Sequence, residues 1–302
     1  MYAMIGLFVV ILVSSSCATG PTKVNASLVV FDGAHSFVPL SPGASVYAAV
    51  DIGKARKLLE RILKNSKELR AASEMIDKTE TAWIAFYPDN APQNFMIVAD
   101  GAYPSGKANM SFSFSSEWKK RSSPSGGTYW YSADERIALA LNARQLFLSD
   151  GDPLASPPGV AIPDDFAVLS ADSALAFWLD DAALINQIFE SLDIPIQIPA
   201  KHTFIVIRPS PLPNYYDTDI NFELFHTTQA KGLVAVFSLA RRSINLAEPL
   251  AHEELAVLFA ALFTNPPVQE GTHLLIRAAT LSETEIPLLF NTFASFSKKE
   301  KK

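Results

Sequence analysis

Cys17 is the sole cysteine of the 302-residue chain, and it closes the apolar part of a stretch, residues 1–22, that holds no charged side chain. The run from Met4 to Val13 is apolar, and Ser14, Ser15 and Ser16 separate it from the thiol. Small residues before a cysteine let a peptidase take hold of extended backbone beside the sulfur, and the sole cysteine of the chain is free to serve as an attachment point. An apolar segment of about ten residues ending in small ones is an export segment with a processing point, whereas a membrane-spanning helix needs about 20. Cleavage elsewhere, for example after Ala18, leaves a secreted chain without an anchor. A buried strand with an incidental cysteine fits less well, because Ala18 to Asn25 reads as a tether.

On these residues the leader resembles a bacterial lipoprotein signal peptide, in the relaxed form found in spirochaete lipoproteins. The usual pattern has leucine three residues before the cysteine and a basic residue ahead of the apolar run; this chain has Ser14 and no Lys or Arg there. The resemblance implies that Cys17 takes a diacylglycerol on sulfur and, after cleavage, becomes the mature N-terminus. It implies a membrane partner through acyl chains, palmitate among them, and a location in the bacterial envelope on the extracytoplasmic side, periplasmic or surface-exposed.

Other constellations are thin. His35, His202, His226, His252 and His273 are dispersed, and none forms the His-Glu-x-x-His spacing that sets two ligands on one helical face. Asp217 and Asp219 alternate about Thr218, so on a strand their carboxylates share a side and form a candidate cation contact. A calcium loop would need a glycine and a distal Glu that this segment lacks, and a solvated strand edge is the competing role. No Gly-x-Ser-x-Gly elbow occurs. Pro104-Ser-Gly-Lys107 is followed by Ala108 and reads as a turn rather than a phosphate loop. The aromatic group Trp118, Tyr129, Trp130 and Tyr131 is the candidate ligand-contact patch, since Trp and Tyr give large contact area at low entropic cost. Alternation along a strand puts Tyr129 and Tyr131 on one face and Trp130 on the other.

The elements that must position these residues follow from composition and period. With 49% hydrophobic residues, 19% charged, 20 Phe and 20 Pro, the chain packs a core and turns often. A net charge of -6 disfavours nucleic acid as a partner. No cysteine follows position 17, so the body has neither disulfide nor thiolate metal site, and neither metal nor cofactor is expected.

The chain then repeats one order. In the first half Ser45 to Val50 reads as a strand, and Asp51 caps a helix with Ile52, Ala55, Leu59, Ile62 and Leu63 on one face. Strands follow over Thr81 to Tyr87 and Asn94 to Ala99. In the second half Asp165 to Leu169 reads as a strand. Asp172 or Ser173 then caps a helix carrying Leu175, Trp178, Ala182, Ile185, Phe189 and Leu192, and strands follow over His202 to Arg208 and Asp219 to Phe225. Gln229 to Arg241 predicts a helix; in its counterpart, Gly106 to Arg121, the period favours a strand and the echo a helix, and we take the helix. Tyr129 to Tyr131, Ile137 to Leu141, Leu146 to Leu148 and His273 to Ala278 predict closing strands, and Ala251 to Phe263 an extra helix.

The expectation is therefore an α+β chain of two tandem ferredoxin-like (βαββαβ) units packed together. The divisions are a signal peptide at 1–16, lipid anchor and tether at 17–40, a first unit at 41–150, a linker at 151–159, a second unit at 160–296 and a charged tail at 297–302. The functional expectation is a membrane-anchored lipoprotein with a non-enzymatic binding or envelope-structural role, toward an envelope protein, a glycan or a lipid. The alternatives are a carrier of lipid or another apolar ligand, and a hydrolase whose site assembles only in space.

Overall fold

A segment that is apolar at every position except its last has no solvent face. Val46–Asp51 is of this kind, and it forms strand β1 with Tyr47, Ala48, Ala49 and Val50 all buried. The computed structural model describes residues 40–63, 76–88, 91, 93–134, 136–155, 172–180, 186, 197–244, 261 and 264–286. The chain divides into two compact units, residues 2–171 and 172–302.

In the first unit Asp51 ends β1 and starts helix α1, Ile52–Leu63. Its carboxylate accepts the Lys54 backbone N–H at 3.1 Å, the N-cap bond expected of it. Ile52, Ala55 and Leu58 are the buried stripe of α1, with Leu59 only half-buried. Strands β2, Thr79–Phe86, and β3, Phe95–Gly101, follow, and then helix α2, Ser105–Phe114. The unit closes with β4, Trp118–Ser122, β5, Thr128–Ser132, β6, Ala138–Leu141, and β7, Gln145–Ser149. The strands lie in the order β1-β2-β3-β7-β6-β5-β4, and every described pair is antiparallel.

The second unit contains β8, Leu175–Leu179, β9, Ala200–Pro209, β10, Tyr215–Leu224, helix α3, Thr227–Ile244, β11, Val268–Glu270, and β12, His273–Ser282. Its strand order is β8-β9-β10-β12-β11, again antiparallel throughout. On β10 the alternation is clear. Tyr216, Thr218, Ile220, Phe222 and Leu224 are buried, and Phe222 stacks on Phe237 of α3 with ring centroids 6.4 Å apart.

The fold is thus α+β, with extensive antiparallel sheet and few described helices. The two units share an internal plan: three strands that pair in chain order, a helix, and a last strand that pairs back onto the third while the one before it lies outside. A ferredoxin-like unit is a split βαβ, in which another strand separates the two flanking the first helix. Here β1 and β2 pair directly and antiparallel, with Tyr47 opposite Ala85 and Ala49 opposite Trp83.

Four local expectations change. The helix expected over Gly106 to Arg121 ends at Phe114, and Trp118 to Arg121 belong to strand β4. Leu175 to Leu179 is a strand and not the first turns of a helix. Four of its five side chains are buried, on both faces, and such a run shows no period of two by which a sequence reading could recognise it. Pro104 to Lys107 is not a turn: Ser105 begins α2, and Pro104 accepts the Ala108 N–H at 3.0 Å. Residues 150–155, placed at and after the first unit's expected end, are bound into that unit. Asp150 accepts the Asn94 N–H at 2.9 Å and the Asn94 side-chain amide at 2.6 Å, and Asp152 accepts the Ser123 hydroxyl at 2.6 Å. The expected strand at 165–169, positions 182, 185, 189 and 192, and the helix at 251–263 except for residue 261, which is helical, lie outside the described residues.

Candidate interaction surface

The aromatic group is assembled by α2 and the β4–β5 hairpin. Register sets Lys119 opposite Tyr131, Lys120 opposite Trp130 and Arg121 opposite Tyr129. Alternation then separates the aromatics as expected. Tyr129 and Tyr131 meet edge-on, with centroids 6.4 Å apart, in a small cluster with Ala138, Ala140, Phe147 and Leu154. Trp130, on the other face, lies 5.7 Å from Phe112 of α2, and Trp118 lies 5.0 Å from the same ring. The Trp130 indole N–H donates to Asn109 Oδ1 at 2.7 Å.

Most of this aromatic surface is therefore inside. Tyr129 and Trp130 are buried, and Trp118 and Tyr131 are half-buried. Burial raises the Tyr129 hydroxyl above its ordinary pKa, the Asp152 charge adds to the rise, and Arg121 opposes it. What faces solvent is the basic strand beside them: Lys119, Lys120, Arg121 and Ser122 are exposed. The cations rest on the rings, Arg121 with its guanidinium carbon 4.2 Å from the Tyr131 centroid and Lys120 with Nζ 5.9 Å from that of Trp130. Sequence reading proposes a contact role for the aromatic residues and none for the basic ones beside them, because Trp118 to Ser122 has no apolar alternation to mark it as a strand. The signal present was three consecutive cations in a chain of net charge -6.

A second feature is apolar. Helix α2 buries Ala108 and Phe112, while Met110 and Phe114 are 55% and 85% exposed. Two residues along a helix is about 200° of rotation, so these two pairs occupy opposite sides.

Asp217 and Asp219 do lie on one side of β10, and both carboxylates are engaged within the sheet. Asp219 Oδ2 pairs with Arg208 Nη1 at 2.5 Å, and its Oδ1 accepts the Ala278 N–H at 2.7 Å, at the point where the β10–β12 register shifts. Asp217 Oδ1 accepts the Thr280 hydroxyl at 3.1 Å. Among the described residues no group of three or more His, Cys, Asp or Glu side chains could hold a metal ion. His273 Nδ1 lies 3.0 Å from Asn221 Oδ1, His202 stands edge-on to Trp178 and 3.3 Å from Asp180, and His226 donates its backbone N–H to Gln229 as the start of α3. They stay dispersed. His35, His252 and Cys17 lie outside the described residues. Among the described residues no helix is long and apolar enough to cross a membrane.

The class that the fold defines is that of an antiparallel α+β body shared with solved structures of a bacterial lipoprotein. The particular protein it resembles is TP0453. Residues 35–145 match the model of the family described as outer membrane-associated lipoprotein TP0453. Crystal form III of TP0453 superposes with a TM-score of 0.60 at 18% identity, covering 85% of this chain and 98% of that one. Form I gives 0.58 at 18% identity over 88% and 99%, and form IV 0.57 at 18% over 84% and 96%. The family match lies within the first unit, and over the rest the likeness is one of fold. No curated protein matches the chain.

Proposed function

We propose that the chain is anchored by acyl chains on Cys17 to the outer membrane of a bacterial envelope, where its body serves a non-enzymatic binding or structural role. The observation that carries this reading is Cys17 itself, a lone thiol behind an apolar run and small residues. The match of residues 35–145 to a family of outer membrane-associated lipoproteins supports it. One acyl chain gives marginal anchoring and two or more give stable residence, so modification at this residue fixes location without a span. Residues 1–16 are then the removed leader, 17–40 the anchor and tether, and 297–302 a charged tail. We read the folded body as a duplication of the strand-helix-strand-strand-helix-strand order that the sequence repeats, and the strand order that both units share supports this.

Expression in a lipoprotein-processing host tests the anchor. The parent chain should partition into the detergent phase and Cys17→Ala into the aqueous phase; equal partitioning of the two overturns the reading.

One observation favours carriage of lipid or another apolar ligand as a second reading: Met110 and Phe114 present apolar surface outward from α2. Organic extraction of the purified, unacylated protein should then release bound lipid, and an empty extract removes that reading.

A further inference from the structure

The outer edge of the first sheet carries backbone groups with no described use. Among the described residues β4 has a single neighbour, β5. Register decides which of its groups face away. Ala133 donates its N–H to Glu117 O at 2.7 Å, and Ser123 donates to Gly127 O at 3.2 Å. Hydrogen-bonded pairs alternate in an antiparallel ladder, so Lys119/Tyr131 and Arg121/Tyr129 are the bonded pairs between those two. Trp118, Lys120 and Ser122 therefore turn their N–H and C=O groups outward.

The side chains along this edge have one sign. Lys119, Lys120 and Arg121 are exposed, and among the described residues Lys119 and Lys120 have no carboxylate at ion-pair distance. The hairpin is also stiff. Ser123 donates to Asp152 at 2.6 Å, Ser125 donates to the Leu154 carbonyl, and the ring contacts of Lys120 and Arg121 limit the freedom of both cations. A second copy's β4 would set lysine against lysine or arginine, which opposes pairing. A strand bearing carboxylates meets the opposite sign.

We propose that the β4 edge takes an extended acidic segment of an envelope protein as an added strand, with main-chain bonds at Trp118, Lys120 and Ser122 and charge pairing at Lys119, Lys120 and Arg121. The proposal rests on the binding role proposed above and names its partner class.

The test is a titration of the full chain with a fluorescent peptide of alternating valine and glutamate, read by anisotropy. Proline at an edge position whose N–H faces solvent breaks no ladder bond, so Lys120→Pro should keep the fold while deleting an outward donor. Lys120→Ala removes the charge and keeps the donor. Both variants should weaken binding, with Lys120→Pro weaker than Lys120→Ala by about tenfold or more, and a peptide N-methylated at alternate residues should bind about tenfold more weakly than its parent. Equal affinity for the N-methylated and parent peptides overturns strand addition, and that arm holds even if Lys120→Pro fails to fold. Displacement of the peptide by phosphatidylglycerol vesicles, with equal losses in both Lys120 variants, also overturns it and assigns the edge to anionic headgroups. The Cys17→Ala partitioning experiment decides the anchor independently of this titration.

Discussion

Asn109 on α2 accepts the indole N–H of Trp130 on β5 at 2.7 Å, a bond that fixes the helix to the strand it covers. Trp130 is only 7% exposed, so losing the acceptor strands a buried donor. Asn109→Ala should cost about 1–3 kcal/mol, and Asn109→Asp, which keeps an oxygen in place, distinctly less. Urea unfolding followed by tryptophan fluorescence checks this, provided the slope with denaturant is unchanged. Equal midpoints for Asn109→Ala and the parent chain would remove the bond from the account.

Two glycines should respond in opposite ways to alanine. At Gly101 a Cβ would lie 2.0 Å from the Lys78 carbonyl oxygen and 2.9 Å from Thr79 Cα, both of them backbone atoms that cannot rotate away. Gly101→Ala should therefore destabilise by about 3 kcal/mol, the upper part of the overpacking range. At Gly106, in the first turn of α2, a Cβ meets nothing within 4 Å, and Gly106→Ala should be neutral or stabilising by up to about 1 kcal/mol. Thermal unfolding of the two variants side by side gives the comparison.

Alkaline pH should weaken the first unit through Tyr103. Burial pushes its hydroxyl up to about 12 from 10.0, partly offset by the hydrogen bond it shares with Thr79 at 2.9 Å. The unfolded chain then loses its proton first, so it binds fewer protons than the folded chain between these values. Stability falls as pH rises from 10 to 12 and is fully present below 10. The loss should approach about 2–3 kcal/mol. Tyr103→Phe, less stable at neutral pH for want of the Thr79 bond, should show a shallower decline over that range; parallel curves would contradict the assignment.

The engagement of Asp219 by Arg208 and the Ala278 N–H predicts indifference to divalent cations. Calcium or magnesium should leave the melting temperature unchanged, whereas Asp219→Ala should lower stability by about 1.5–3 kcal/mol through loss of a charge-assisted bond. Asp219→Asn, which can still accept from Ala278, should lie between the two. A calcium-dependent rise in melting temperature that Asp217→Asn and Asp219→Asn abolish would instead establish a cation contact there.

Legibility in the sequence varied with how directly a pattern reports burial. On β5 the period of two put Tyr129 with Tyr131 and sent Trp130 to the opposite face, where the structure sets it against Phe112 of α2. On α2 the same period misleads. Met110, Phe112 and Phe114 alternate like a strand, yet only Phe112 is buried, and the other two are apolar residues left outside. On β4 no pattern was available, because its side chains are ordered by ring faces on the neighbouring strand and not by a core.

From the sequence alone came the lone Cys17 behind its apolar run and many of the element kinds: the capping Asp51, the strands ended by Pro88 and Pro209, and the absence of any local catalytic motif. These are properties of contiguous residues, and short-range chemistry suffices to read them. Tertiary structure decided which strands pair, that Leu175 to Leu179 is extended, that Asp150 and Asp152 close the first unit, and that the aromatic group lies mostly beneath a basic edge. Each of these depends on a partner outside the contiguous stretch that is read, and local propensity carries no information about which partner wins.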